Sequence, residues 1–212
     1  MNSSKCFLDI KLLGHVISAS GRVIDPARLN SILEIPLPQS VKQLQARLGI
    51  FNYVRDYIPK YATIAAPLEA LRHHKGDLLG VWTPAATQAV EDLNEILSAR
   101  LLVSFPDYNE PFYVGTDASN VGIAAVLYQV DKDKKQRYIS IVSRALHSAE
   151  RNYCATKKEL LAIIFALAKL HTYLYGRKFT LYTDHSALVF LFTERAESYH
   201  FKLDGYSAVL FF

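Results

Sequence analysis

The chain has 212 residues, 50% of them apolar and 21% charged, with a net charge of +4. That balance excludes a disordered chain and supplies enough apolar material for one large or two small domains. The basic excess suits a phosphate-rich partner without requiring one. Cys6 and Cys154 exclude a disulfide framework or structural zinc site, and read as thiols of a reducing compartment. The opening MNSSKCFLDIK has no signal-peptide pattern. The longest apolar run, Leu160–Ala168, is about half of what a membrane span needs. The protein therefore reads as soluble and intracellular, with no membrane partner.

Two apolar runs, Cys6–Ile10 and Leu12–Ile17, open the chain as strands. Asp25-Pro26 starts a helix, with Asp as cap and Pro at the first helical position, and Ile35-Pro36-Leu37-Pro38 ends it. Ser40 and Gln43 form a capping box for a second helix, whose apolar residues Val41, Leu44, Leu48 and Phe51 recur toward Pro59. A shorter helix is expected over 65–74, and another from Thr83-Pro84 to about Leu97. Residues 20–100 thus read as mainly helical, and Ser104-Phe105-Pro106-Asp107 as a linker.

Beyond the linker the pattern changes. Phe112–Thr116, Val121–Gln129 and Arg137–Val142 are strand-like, with the charged run Asp131–Lys135 as a solvated hairpin loop. A helix from Lys157 to about Tyr173 is apolar on nearly every side and is expected to be buried. A fourth strand, Lys178–Thr183, and a short helix near Ala187–Phe192 follow. Short loops make the first three strands antiparallel, and the helical crossover lets the fourth run parallel to the first. The expected fold class is α/β, a mixed sheet with helices preceded by a mainly helical region.

Three acids fall where such a layer can gather them: Asp117 at the end of the first of these strands, Glu159 at the start of the long helix, and Asp184 after the fourth strand. Converging carboxylates repel and call for a cation. Mg²⁺, an oxygen-seeking ion, suits them, and two such ions can activate water against a phosphodiester. Each acid also has a plain explanation. Thr156-Lys157-Lys158-Glu159 is a capping box, Asp117 can turn the chain between strands, and Asp184 can cap the next helix. Spacing alone leaves both readings open.

The wording of the sequence is more specific. YVGTDASNVGIAAVLYQ, ISIVSRALHSAERNYCATKKELLAIIFAL and YLYGRKFTLYTDHSALVFLF resemble the ribonuclease H domain of gypsy-type LTR retrotransposon polyproteins. LLGHVISASGRVIDPARLNSI and VKQLQARLGIFNYVRDYIPKYATIAAPLEAL resemble the thumb and connecting region of the same reverse transcriptases, and WTPAATQAVEDLNEILSARLLVSFPD the link between the two. The resemblance covers roughly residues 6–192. It implies a thumb-like region over 1–80, a connecting helix and linker over 81–106, and an RNase H-like domain over 107–212. It further implies cleavage of the RNA strand of RNA–DNA hybrids with Mg²⁺, or Mn²⁺. Asp117, Glu159 and Asp184 match the family's first three metal-binding acids.

Ser119, Asn120, Lys157, Lys158, Arg177 and Lys178 are candidate nucleic-acid contacts, although scattered surface cations are usually only solvated. His185 borders the presumed site or starts a helix. Tyr153, Tyr173 and Tyr175 read as core aromatics or as base-stacking platforms.

Two departures from the family accompany the match. The polymerase's YxDD motif is absent, so DNA synthesis is expected only of the intact parent polyprotein, with its palm and fingers. The family's last strand and helix, which carry a fourth aspartate, are also expected to be missing. The strand Lys178–Thr183 should then be an open edge, and the tail Ala208–Phe212 should not pair beside it. Three readings follow: a metal-dependent hybrid ribonuclease, a relic that binds nucleic acid without cutting, and a DDE transposase or integrase core. The order Asp–Glu–Asp, with the glutamate in the middle, argues against the third.

Overall fold

A tight hairpin opens the described part of the chain. β1 (Ile10–Leu12) and β2 (His15–Ser18) pair antiparallel with Leu12 opposite His15. The two-residue loop between them, Leu13-Gly14, has positive φ at both positions (47° and 72°), the geometry that matches strand twist in a hairpin. A computed structural model of the protein describes residues 9–183, 185, 188, 200–203 and 206–211. Among the described residues no helix is long and apolar enough to cross a membrane.

β3 (Gly21–Ile24) extends the hairpin and pairs with β4 (Val103–Ser104). Both strands depart from expectation, since β3 falls inside the stretch read as helical and β4 ends on Ser104, the first residue of the stretch read as linker. The reason is tertiary: at Gly21 (φ +150°) any Cβ would lie 2.2 Å from the Val103 carbonyl oxygen, so only glycine admits this approach.

The helices follow the local signals more closely. Asp25 caps α1 (Pro26–Leu33), accepting from the Ala27 amide at 3.1 Å. Ser40 caps α2 (Val41–Tyr53), accepting from the Gln43 amide at 3.3 Å, while Gln43 Oε1 reaches Gln39 N instead of closing the expected box on Ser40. A 3₁₀ turn over Arg55–Tyr57 succeeds it. The helix expected over 65–74 is α4 (Ala66–Leu71), with Pro67 in its first turn, where its missing N–H costs nothing, and a further short helix, α3 (Tyr61–Ile64), precedes it. α5 (Pro84–Ser98), capped by Thr83, buries Ala86, Ala89, Val90, Leu93 and Leu97 in one core with Leu29, Leu44, Phe51 and Ile58. The helix expected as a connector is thus packed into the helical core.

The second core lies between a mixed sheet and a helix. β5 (Phe112–Ala118), β6 (Gly122–Val130) and β7 (Gln136–Ala145) form an antiparallel meander. α6 (Ser148–Arg151), α7 (Ala155–Lys169) and α8 (His171–Leu174) then lead to β8 (Lys178–Tyr182), which pairs parallel to β5 as expected. Phe112, Val114, Leu127, Ile163, Ala166, Leu167, Phe179 and Leu181 fill the layer between α7 and the sheet. α7 is buried on one side only, for Ile164 is 53% exposed. Of the short helix expected near 187–192 only Leu188 is among the described residues.

The open edge expected at β8 does not exist. β10 (Tyr206–Phe211) pairs parallel to β8, Ser207 opposite Lys178 through Phe211 opposite Tyr182, and β9 (His200–Leu203) pairs antiparallel to β10. Among the described residues the sheet therefore has six strands in the order β7-β6-β5-β8-β10-β9. The tail's Ala-Val-Leu-Phe run has the composition of a strand, and a strand there satisfies the backbone groups that β8 would otherwise leave unpaired.

Candidate active site

β5 alternates strictly until its end. Phe112, Val114 and Thr116 are buried, whereas Tyr113, Gly115 and Asp117 fall on the other face. On that face Tyr113 stacks with Tyr128 and Tyr182, at centroid distances of 5.5 and 6.3 Å. Burial, and then the neighbouring phenols, push the Tyr128 hydroxyl up from its ordinary pKa.

Asp117 is still within the strand, opposite Ala124, so it does not make the turn that follows. Ser119 does: its Oγ accepts from the amides of Val121 (3.3 Å) and Gly122 (3.0 Å). Asp117 accepts from Lys60 Nζ at 2.8 Å, with the two side chains 34% and 53% exposed. Both line an open groove of about 420 Å³ with Pro59, Thr116, Ala124 and Thr183.

Glu159 comes from α7 and is buried. The helix starts earlier than expected. Its cap is Cys154, in extended conformation and without a side-chain hydrogen bond, and the Cys154 carbonyl accepts from Lys158 N at 3.1 Å. Thr156 is therefore inside the first turn, and the capping box with Glu159 is not formed. Thr156 Oγ1 instead lies 3.2 Å from His185 Nε2. Glu159 lines a second groove of about 320 Å³ with Ala118, Ser119, Asn120, Tyr153 and Lys158. The two grooves share the end of β5, Thr116 and Asp117 lining one and Ala118 and Ser119 the other.

Asp184 lies outside the described residues. The residue before it, Thr183, is buried and lines the groove of Asp117, and its Oγ1 accepts from the His185 amide at 3.4 Å. Among the described residues no three His, Cys, Asp or Glu side chains gather into a metal-binding group.

The basic candidates divide by position. Lys158, only 8% exposed, donates to Asn120 Oδ1 at 3.0 Å, and Lys157 Nζ lies 5.9 Å from the centre of the Tyr153 ring. Ser119, Asn120, Lys157 and Lys158 thus share the acid end of the sheet. Arg177 and Lys178 sit at the opposite end, because β8 runs parallel to β5 with Phe179 opposite Phe112. That separation is roughly 17 Å along the strand. Arg177 there donates to the Tyr108 carbonyl and lies 4.5 Å from the centre of that residue's ring. Of the tyrosines expected to pack in the core, Tyr173 does, while Tyr153 and Tyr175 are exposed.

Sequence reasoning missed Lys60. It is 57 residues from Asp117, and no spacing or motif marks it; only its left-handed backbone (φ 57°), unusual for a lysine, is out of the ordinary.

Comparison with known proteins fits this architecture. Residues 82–181 match the RNase H-like domain found in reverse transcriptase. The retrovirus-related Pol polyprotein from transposon opus of Drosophila melanogaster is 37% identical over 214 residues, covering 95% of this chain and 21% of the relative. That from transposon gypsy of the same organism is 32% identical over 219 residues, covering 96% and 21%. This chain belongs to the gypsy-type retrotransposon Pol family. The transposon Tf2-3 polyprotein of Schizosaccharomyces pombe is 32% identical over 202 residues, covering 93% of this chain and 15% of its own length. The chain spans about a fifth of the Drosophila Pol polyproteins.

Solved structures share the fold. A foamy viral protease-reverse transcriptase in complex with dsDNA superposes with a TM-score of 0.69 at 24% identity, covering 86% of this chain and 38% of that one. The same protein in complex with an RNA/DNA hybrid gives 0.67 at 23%, covering 90% and 26%. The RNase H-like match over 82–181 takes in β5, β6, β7, α7 and most of β8 of the mixed sheet.

Proposed function

We propose that the C-terminal half of this Pol region is a divalent-cation-dependent nuclease that hydrolyses the RNA strand of RNA–DNA hybrids. Asp117, Glu159 and Asp184 are its metal-binding acids. One observation carries the reading: β5 and α7 deliver Asp117 and Glu159 to grooves that share one sheet end. The parallel register supports the third acid, since Gly115 pairs with Tyr182 and each acid lies two residues further along its own chain. The domain division that goes with it is a thumb-like region over 1–80, a connecting segment over 81–106 and the nuclease over 107–212.

The residues present fit Mg²⁺ or Mn²⁺. Their donors are carboxylate oxygens, and a cation, the Lys60 ammonium, already lies 2.8 Å from Asp117 Oδ1. When bound, the metal would supply Lewis-acid stabilisation of the scissile phosphate and activation of water. The chain's own contribution is placement. Asp117 is held in a paired strand and Glu159 on a buried helix, so neither must be ordered when substrate arrives. Lys158, Asn120 and Ser119 line the groove of Glu159, Lys157 lies over its Tyr153 ring, and these four serve the sugar-phosphate backbone, whereas Arg177 and Lys178 take no part at the acids. RNA-directed DNA synthesis belongs to the intact parent polyprotein, because the YxDD acids lie outside this sequence.

A second reading, a nucleic-acid-binding module that does not cut, draws on the same ion pair: Asp117 is held by a lysine. Incubating the chain with a hybrid labelled on its RNA strand separates the two. Cutting in Mg²⁺ or Mn²⁺ that stops in excess chelator is expected. Retardation of the hybrid without cutting would favour the binding module, and cutting in chelator would overturn the metal reading.

A further inference from the structure

Lys60 reaches Asp117 from a strap that belongs to the helical region. Pro59 fixes the entry, Lys60 turns the chain in the left-handed conformation (φ 57°, ψ 26°), and its carbonyl accepts from Thr63 N (2.9 Å) and Ile64 N (3.1 Å) to begin α3. Three contacts fasten this strap across the mixed sheet. The Arg55 guanidinium donates to the Ser143 carbonyl, Ala62 N donates to Ser143 Oγ at 3.2 Å, and the Thr63 and Ser119 hydroxyls meet at 3.0 Å. The Lys60 ammonium is therefore delivered to Asp117 by anchored backbone on a segment outside the RNase H-like match at 82–181.

We propose that Lys60 is a positioning residue of the acidic site: it holds the Asp117 carboxylate until a divalent cation takes its place. This rests on the reading of Asp117 as a metal-binding acid. An ammonium 2.8 Å from Oδ1 and a divalent ion on the same oxygen repel, so the two occupancies exclude each other. The pair is half open to water, and such pairs are weak enough for a divalent ion to displace. The helical region thereby sets the cation affinity of the nuclease site, and lifting the strap from the sheet raises it.

The test uses the full chain as wild type, Lys60→Met and Lys60→Gln. Mn²⁺ binding is followed by electron paramagnetic resonance, and labelling of Lys60 by reductive methylation is followed by mass spectrometry with and without Mg²⁺. Both variants should bind Mn²⁺ about two- to fivefold more tightly, the range an open ion pair is worth, whereas loss of a merely structural residue would weaken binding. In wild type, Mg²⁺ should make Lys60 label faster. Unchanged labelling while Mn²⁺ binds, or variants that bind equally or more weakly, would overturn the proposal. No Mn²⁺ binding by any of the three would instead overturn the metal-site reading, and this inference with it.

Discussion

Glu150 links the end of β7 to the helices behind it, and Glu150→Gln should show how much that link contributes. Its carboxylate accepts two hydrogen bonds from Arg144, at 2.6 and 2.9 Å, and one from His147 N at 2.8 Å. The same guanidinium lies 5.5 Å from the centre of the Phe165 ring on α7. The Arg144 hydrogen bond is the main reason that Glu150 is held down at about 2 from an ordinary 4.5. A depression of that size corresponds to at most about 3 kcal/mol. The partners are 28% and 14% exposed, and water screening reduces the estimate to about 1–2 kcal/mol. Because the folded-state pKa is the lower one, the stabilisation is complete above about 4.5 and is lost as pH falls through about 2. Urea unfolding should show Glu150→Gln less stable by that amount at pH 7, with the gap reduced to roughly half or less by pH 3. Equal stabilities at pH 7, or a gap that stays constant down to pH 3, would mean that the Arg144–Glu150 pair does not stabilise the fold.

Three further outcomes are expected. Cys154→Ser supplies the side-chain cap that α7 lacks and should add roughly 0.5–1 kcal/mol in urea unfolding, whereas Thr156→Ala removes only a hydrogen bond to His185. Val209→Pro takes an N–H from a strand paired on both sides. The Phe179–Tyr182 amides should then exchange at least about tenfold faster, equivalent to about 1.4 kcal/mol lost locally, and unchanged exchange would mean that β10 does not cover β8. The purified chain should extend no primer on any template, and measurable incorporation of nucleotide would show that polymerase acids lie within it.

Features that depend on a few neighbouring residues were legible in the sequence. Asp25-Pro26, Ser40 and Thr83-Pro84 each marked a helix start, because a cap is a contact between residues two or three apart. The aromatic and β-branched run Phe112–Thr116 likewise located Asp117 near the strand end. Features made by distant contacts were not legible. β3 and β4 pair across about 80 residues through one glycine, and Lys60 meets Asp117 only after the helical region docks on the sheet. The start of α7 is not where its capping residues point: Thr156 has a capping side chain and Cys154 does not, yet the helix register begins at Cys154. The tail differs for another reason: its residues are strand-forming, whereas the segment in its place in the family it resembles is helical.

On the function proposed above, the end of β5 and the start of α7 share one divalent-cation site. Paramagnetic broadening by Mn²⁺ in amide NMR spectra of the full chain tests it most directly. At substoichiometric Mn²⁺ the signals of residues 117–120 and 156–160 should fade together, Mg²⁺ should restore them, and Asp117→Asn should abolish the effect at both. Broadening at only one of the two segments, or undiminished broadening in Asp117→Asn, would mean that they do not share a cation.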